Sequence, residues 1–287
     1  MVLTGNADGD VTVFDAPSGK RVRTATQPAG VIRAVAWSPD GRLLAAAGSG
    51  KEIRLWDALT GREAGALKGH TEIVHTIAFS SDSKTLASGS SDKTVRLWDV
   101  GKGTEVRALS LPDPPAGAKP SRGFPGWVFA VTFSPDGKTV AAGGGDGAGA
   151  AGELVLWDAE TGKEQRRLLG ADEQQVWAVA FTPDGKRLAC GFTGGSVRLF
   201  DVQTGTVLRE FSGGDQLRGL AISSDGRTVA AAIRKEIMLW DAVTGELRRT
   251  LRGHGNWVGS IAFSPEGTAL VSGGSDGVRL WSLARDK

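Results

Sequence analysis

The stretch Ile73–Leu109, IVHTIAFSSDSKTLASGSSDKTVRLWDVGKGTEVRAL, breaks into four short runs. Ile73–Phe79, Thr85–Gly89, Thr94–Trp98 and Glu105–Leu109 alternate apolar with small or polar residues, the period-two pattern of a strand. They are designated a, b, c and d. Runs this short cannot persist as helices, because nucleating the first turn is unfavourable.

The same unit returns along the chain. Its marker is an aromatic residue followed by aspartate: Phe14-Asp15, Trp56-Asp57, Trp98-Asp99, Trp157-Asp158, Phe200-Asp201 and Trp240-Asp241, with Trp281-Ser282 last. Successive spacings are 42, 42, 59, 43, 40 and 41 residues. A second marker, of the Ser-Pro-Asp-Gly type, joins a to b at Ser38–Gly41, Ser80–Ser83, Ser134–Gly137, Thr182–Gly185, Ser223–Gly226 and Ser264–Gly267. Proline presets φ there and glycine accepts the positive φ of the turn. Thr-Gly follows the aromatic pair at Thr60, Thr161, Thr204 and Thr244. A four-stranded unit cannot bury both faces alone, so it must stack on its neighbours, and radial stacking gives a propeller.

In these residues the chain resembles the WD40-repeat family, over essentially its whole length. The resemblance implies an all-β, seven-bladed WD40 β-propeller forming one domain, 1–287, with strand a lining a central channel and d at the rim. Strand a occurs six times, b and c seven times each, and d six times. The first blade is then expected to lack its innermost strand and the last its outermost. The alternative is a six-bladed closure with a surplus N-terminal hairpin, in which Lys20–Ala25 supplies the outer strand of the C-terminal blade. The start at a b strand suggests a longer parent chain or a remodelled terminus.

Two insertions interrupt the repeat, 110–126 between a d and the next a, and 145–152 between b and c of that next unit. Strands alternate up and down, so d–a and b–c loops share one face, and both insertions are expected there. Insertions confined to one face of a repeat protein often mark its binding surface, although lengthening a loop also costs little.

Composition excludes several classes of function. The 34 basic and 32 acidic residues leave a net charge of +2, which gives no electrostatic footprint for nucleic acid. Cys190 is the only cysteine, so neither a disulfide framework nor a thiolate cluster is available. The first residues do not read as a signal peptide, and no apolar stretch approaches the roughly 18 residues of a membrane span. A cytoplasmic chain with no membrane partner is expected. With three histidines, no spacing suggests a metal site or an activated nucleophile, so no cofactor, metal or catalytic residue is expected. Asp8-Gly9-Asp10 reads as a b–c turn, and the Gly143–Gly145 cluster lacks the Lys-Ser/Thr of a phosphate loop.

Candidate binding residues come from aligning the a strands on Trp37, Phe79, Phe133, Phe181, Ile222 and Phe263. Two positions earlier the column is apolar (Val35, Ile77, Val131, Val179, Leu220, Ile261) and is assigned to the core. Four positions earlier it reads Arg33, His75, Phe129, Trp177, Arg218 and Gly259, and six positions earlier it includes Trp127 and Trp257. In WD40 proteins this mouth of the channel is where peptides dock. Aromatics and arginines dominate binding hot spots. Arg33, His75, Trp127, Phe129, Trp177, Arg218 and Trp257 are therefore the candidate partner contacts, fitted to an extended segment with apolar and acidic groups. The competing assignment packs the aromatics between blades.

The remaining histidines match the family's Gly-His before strand a. The resemblance implies two structural hydrogen-bond networks, His70–Ser88–Asp92–Trp98 and His254–Ser272–Asp276–Trp281. Basic d strands (Lys20-Arg21-Arg23, Arg166-Arg167, Arg248-Arg249-Arg252) are expected to keep outer strands from pairing with other sheets, or else to offer a rim to acidic partners. The expected function is a non-catalytic interaction scaffold holding a peptide or protein on the d–a/b–c loop face. The alternative is an architectural propeller subunit of a larger complex or longer chain, its terminal blades completed by another segment.

Overall fold

The computed structural model describes residues 1–26, 30–109, 126–145 and 152–283. Most of both insertions, 110–125 and 146–151, lies outside the described residues. Within them the chain is all-β, and no helix is long and apolar enough to cross a membrane.

Seven antiparallel sheets follow one another as the blades of a seven-bladed propeller fold. Blade 1 holds β1 (Val2–Gly5), β2 (Asp10–Phe14) and β3 (Arg21–Thr26). Blade 2 holds β4 (Ile32–Trp37), β5 (Leu43–Gly48), β6 (Ile53–Asp57) and β7 (Glu63–Leu67). Blade 3 holds β8 (Val74–Phe79), β9 (Thr85–Ser90), β10 (Val95–Asp99) and β11 (Thr104–Leu109). Blade 4 holds β12 (Trp127–Phe133), β13 (Thr139–Gly145), β14 (Gly152–Asp158) and β15 (Glu164–Glu173). Blade 5 holds β16 (Val176–Phe181), β17 (Arg187–Phe192), β18 (Ser196–Asp201) and β19 (Val207–Ser212). Blade 6 holds β20 (Leu217–Ile222), β21 (Thr228–Ile233), β22 (Glu236–Asp241) and β23 (Leu247–Leu251). Blade 7 holds β24 (Val258–Phe263), β25 (Ala269–Gly274) and β26 (Gly277–Ser282).

Blade 1 has no a strand and blade 7 no d strand among the described residues. Because β3 pairs with β2 inside its own sheet, the count is seven rather than six. The blades fall into two compact units, Met1–Glu173 and Gln174–Lys287, each treated by itself.

The repeated motifs are the hydrogen-bonding parts of the turns. In five of the six a–b turns a hydroxyl and an aspartate close the loop. Ser38 Oγ donates to Asp40 Oδ1 at 2.6 Å and accepts the Leu43 N–H at 2.9 Å, while Asp40 Oδ1 accepts the Arg42 N–H at 3.0 Å. The sets at Ser80–Asp82, Ser134–Asp136, Thr182–Asp184 and Ser223–Asp225 repeat this pattern. The aspartate of the aromatic-Asp pair caps the c–d turn. Asp57 accepts the Thr60 N–H and hydroxyl at 2.6 and 2.7 Å, and Asp158 and Asp201 hold Thr161 and Thr204 the same way. These bonds favour the ionised carboxylate and hold Asp57 and Asp158 below the usual range.

Apolar cores lie between consecutive blades of one unit. Ala45, Ile53, Leu55 and Leu67 of blade 2 pack on Val74, Leu86 and Trp98 of blade 3, and blades 3 and 4 repeat the arrangement around Trp157. In the second unit, Val197, Leu199 and Phe211 of blade 5 meet Leu217, Val229 and Trp240 of blade 6. Truncating one of these buried tryptophans removes roughly 3–5 kcal/mol of packing and transfer energy. Cys190, on β17, is fully buried.

The d strands correct one expectation. Their arginines do not simply charge the outer edge. Arg23 of β3 donates to the Ala58 and Leu59 carbonyls in the c–d turn of the next blade. Arg107 reaches Glu160 O at 2.9 Å, Arg209 reaches Val243 O at 2.9 Å, and Arg249 reaches Ser282 O at 3.4 Å. Of the other basic residues there, Arg167 pairs with Glu153 and Glu164, Arg248 with Asp241 and Arg252 with Glu236. The Thr-Gly glycine of the braced turn makes the approach possible. A Cβ on Gly61 would stand 2.5 Å from Arg23 Cδ, and one on Gly162 would stand 2.3 Å from Arg107 Cδ.

Candidate functional site

The column four positions before the aligned aromatic has a backbone reason to differ from its neighbours. In all six a strands the ladder to strand b skips that residue. Ile32 pairs with Gly48 and Ala34 with Ala47, which leaves Arg33 as the extra residue of a β-bulge. His75, Phe129, Trp177, Arg218 and Gly259 occupy the same bulge in their blades. A bulge breaks the alternation and re-aims one side chain, commonly next to functional sites.

The bulge also extends the core column by one residue that alternation does not reach. The residue just before it, in the column Ile32, Val74, Val128, Val176, Leu217 and Val258, is buried in all six a strands. Of the column assigned to the core from alternation, Ile77 and Val131 are buried, and the half-buried Val35, Leu220 and Ile261 pack against the same clusters. Across the extra residue the core face continues at the position before the bulge, so that Ile32 faces the same way as Val35 and Val74 the same way as Ile77.

Unit 1 brings four of the candidates together at the heads of β4, β8 and β12. The His75 ring stacks on Trp127 (centroids 5.8 Å, interplanar 25°) and tilts against Phe129 at 5.3 Å. Trp127 meets Phe129 edge-on at 5.9 Å. Trp127 is exposed, while Phe129 is buried beneath it and therefore serves as its support rather than as a contact surface. His75 Nε2 lies 2.7 Å from Ser91 Oγ. Burial, with the Arg33 charge as the second cause, lowers the His75 pKa to about 4, so the imidazole is neutral near pH 7. Arg33 itself is exposed.

Unit 2 brings the other three together at the heads of β16, β20 and β24. The Arg218 guanidinium lies over two indoles, 5.6 Å from the Trp177 ring and 4.6 Å from the Trp257 ring. Both distances are within cation–π range, which holds an otherwise mobile side chain in one plane. Trp177 Nε1–H donates to Thr193 Oγ1 at 3.0 Å. Trp257 and Arg218 are exposed and Trp177 is half-buried.

The sequence reading missed Ser91 and Thr193. Each directly follows strand b, donates its backbone N–H to the carbonyl two residues before the bulge (Ile73, Gln175) and fixes the ring of the bulge residue with its hydroxyl. The available signal is a hydroxyl at the same place after strand b, opposite an aromatic bulge residue.

The two histidine sets are close-packed. Trp98 Nε1–H donates to Ser88 Oγ at 2.8 Å, and Ser88 Oγ lies 2.7 Å from His70 Nε2. Because the Asp92 carboxylate only accepts, His70 donates its Nδ1–H to Asp92 Oδ2 at 2.7 Å. Burial works to raise the Asp92 carboxyl, but bonds from His70, Thr94 and the Thr71 N–H hold it well below the usual range. The second set repeats this geometry. Trp281 Nε1–H donates to Ser272 Oγ at 2.8 Å, Ser272 lies 2.7 Å from His254 Nε2, and His254 Nδ1 lies 2.6 Å from Asp276 Oδ1. Hydrogen bonds from His254 and the Gly255 N–H lower Asp276 to about 2. Both histidines are enclosed, so these groups face one another rather than a ligand. Among the described residues, no group of three or more His, Cys, Asp or Glu side chains is placed to hold a metal ion.

A family profile described as "WD domain, G-beta repeat" matches residues 19–57, 61–99, 118–148 and 245–282, just over half of the chain. A second, described as "Anaphase-promoting complex subunit 4 WD40 domain", matches residues 165–217. The chain is similar to the human "WD repeat and SOCS box-containing protein 1", with 37% identity over 98 residues, 32% of this chain and 23% of that protein. It is 29% identical over 164 residues to "Small ribosomal subunit protein RACK1" of Brassica napus, which covers 57% of this chain and 41% of that protein. It is also 44% identical over 63 residues to "Nuclear distribution protein PAC1" of Arthroderma benhamiae, 21% of this chain and 14% of that protein. The chain thus spans less than half the length of each of these relatives.

Proposed function

The chain belongs to the WD40-repeat family, and from that premise we propose that it is a cytoplasmic, non-catalytic scaffold that holds a protein or peptide at the heads of its a strands, on the d–a/b–c loop face. One observation carries the reading. The bulge in every a strand turns out a residue that the sheet does not need, and in five blades of six that residue is aromatic, arginine or histidine. A sheet built only to pack would place small apolar residues there, as the alanines just after the bulge do at Ala34, Ala130 and Ala178.

The chemistry of the two clusters suits an extended segment with apolar and acidic groups. Trp127 and Trp257 offer exposed indole surface, and Arg33 and Arg218 offer cations. The neutral His75 adds a flat surface without a competing charge. The relatives support a role in assemblies, since one carries a ribosomal-subunit name and another a SOCS box in its name.

The test is affinity capture with the intact chain beside a variant carrying Trp127→Ala, Trp177→Ala and Arg218→Ala. The proposal expects the variant to lose the captured partners while its melting temperature stays within a few degrees. Equal capture by both forms refutes it, and so does a collapse of stability that accounts for the loss.

A further inference from the structure

A second interaction surface lies in the second unit, between blades 5 and 6. A groove of about 220 Å³ is lined there by Arg187, Leu199, Leu208, Arg209, Ala242 and Val243. Leu199 and Ala242, 1% and 2% exposed, form an apolar floor, while Leu208 and Val243 stand as lips at 38% and 58%. Arg187 opens β17 just after an a–b turn, and Val243 lies in a c–d turn. The groove therefore opens away from the bulged heads of the a strands.

Three features set this junction apart from its counterparts. The first is the apolar lips. Leu208 is the extra residue of a bulge between β19 and β18, a place held by Val22, Ala64 and Val106 in blades 1 to 3. The turn residues facing those three, at the place of Val243, are Leu59, Gly101 and Glu160. A pair of large apolar lips thus recurs only between blades 1 and 2. The second feature is a looser brace. Arg23 donates two N–H groups to the turn of the next blade, whereas Arg209 donates only its Nε–H, to Val243 O at 2.9 Å, and turns Nη1–H back to Leu208 O at 2.9 Å. Its stem stands off accordingly. A Cβ on Gly245 would lie 3.9 Å from Arg209 Cδ, against 2.5 Å for Gly61 and 2.3 Å for Gly162 from their arginines.

The third feature is charge. The residue opposite the last of each c strand is Leu43, Thr85, Thr139, Thr228 or Ala269, but in blade 5 it is Arg187. The acids beside Arg187 are engaged in turns. Asp184 accepts the Thr182 hydroxyl at 2.5 Å and the Lys186 N–H at 3.1 Å, and Asp201 accepts the Thr204 N–H and hydroxyl at 2.7 and 3.0 Å. Arg209 Nη2 makes no hydrogen bond among the described residues.

We propose that this groove docks a separate polypeptide through one large apolar side chain flanked by carboxylates. The apolar group enters between Leu208 and Val243 onto Leu199 and Ala242, and the carboxylates meet Arg187 and Arg209 Nη2. The volume is below the roughly 300–1,000 Å³ of a small-molecule pocket, so a single side chain is the fitting occupant. Two cations beside an apolar slot select an acidic segment over a basic one. A partner can engage this groove and the a-strand heads independently.

The probe is a fluorescein-labelled peptide, Gly-Ser-Asp-Phe-Asp-Ser-Gly, titrated with the full chain and followed by anisotropy. Saturable binding is expected with a Kd below about 1 mM. Asparagine for both aspartates, or alanine for the phenylalanine, is expected to weaken it about tenfold or more, as are Val243→Asp and Arg187→Gln in the chain. Leu247→Asp alters a comparably exposed apolar side chain (49%) outside the groove and is expected to leave binding unchanged. The triple change at the a-strand heads is expected to leave it unchanged as well. Absence of saturation at millimolar chain overturns the proposal, as does equal binding by Val243→Asp or Arg187→Gln. Binding lost only in the triple variant assigns the probe to the a-strand heads, which overturns the groove and leaves the proposed function standing. Dimers of the chain, or its cosedimentation with phosphatidylserine vesicles, abolished by Val243→Asp would assign the groove to a second copy or to a lipid surface and overturn the separate polypeptide.

Discussion

Replacing Ser88 by alanine removes one hydroxyl and orphans two neighbours. Trp98 Nε1–H loses its acceptor at 2.8 Å and His70 Nε2 its partner at 2.7 Å. Trp98 is 0% exposed and the His70 side chain 1%, so water cannot replace the lost partner without opening the interface between blades 2 and 3. Leaving a buried polar group unsatisfied costs about 1–3 kcal/mol. Two such groups, with some relaxation, put the loss at about 2–4 kcal/mol. Ser272→Ala is the matched change in blade 7, with the same distances around His254 and Trp281. There Trp281 is only half-buried, so its N–H can rehydrate and the loss should be about 1–2 kcal/mol. Equilibrium urea unfolding, followed by tryptophan fluorescence, compares each variant with the parent chain. The ordering is the test. Equal losses at the two sites, or a loss below about 0.5 kcal/mol at Ser88, would show that burial does not set the worth of these networks.

Other outcomes follow from the braces and from one buried acid. Gly61→Ala should cost about 1 kcal/mol for its left-handed backbone (φ 73°) and more for displacing Arg23, whereas Gly103→Ala (φ 67°) should cost only the backbone part, since nothing lies within 4 Å of its Cβ position. Thermal melts of the two variants separate these contributions, and equal losses would remove the brace from the account. Glu153 is 1% exposed, with Oε1 3.0 Å from Arg167 and no partner for Oε2, and burial raises its pKa to about 7 against the opposing pull of Arg167. An acid raised in the folded state binds its proton more tightly there than when unfolded. Its contribution to stability therefore falls as pH rises from about 4.5 to about 7 and is level above that. Glu153→Gln should accordingly stabilise at pH 8 relative to pH 5, by on the order of 1 kcal/mol, and urea unfolding at the two pH values would show no such difference if the carboxylate is instead well paired.

Blade number and strand limits were legible because the repeat's conserved letters are the atoms that close its turns. Asp57 and Asp158 bind the threonine that follows, and Ser38, Ser134 and Thr182 bind back to the opening residues of strand b. Such local chemistry needs no knowledge of the third dimension. The bulge was not legible, because an extra residue leaves no signature in composition and only inverts the alternation behind it. That is why Val74 and Val176, which face the same way as Ile77 and Val179, were not read as part of the core column. The role of the d-strand arginines was hidden for a different reason. Arg23 and Arg209 bind backbone carbonyls more than thirty residues away, and a carbonyl has no letter. Of the candidate contacts, His75, Trp127 and Phe129 meet in one unit and Trp177, Arg218 and Trp257 in the other. The recurrence of aromatics and cations four and six positions before the aligned aromatic, blade after blade, was the signal that grouped them.

Hydrogen–deuterium exchange on the chain with a captured partner puts the central claim to its most direct test. Slowed exchange is expected in peptides covering 73–77, 126–131, 175–178, 216–219 and 256–259, where the a strands bulge, with the outer strands β11, β19 and β23 unchanged. Protection confined to those outer strands, with the bulges exchanging as in the free chain, would contradict it.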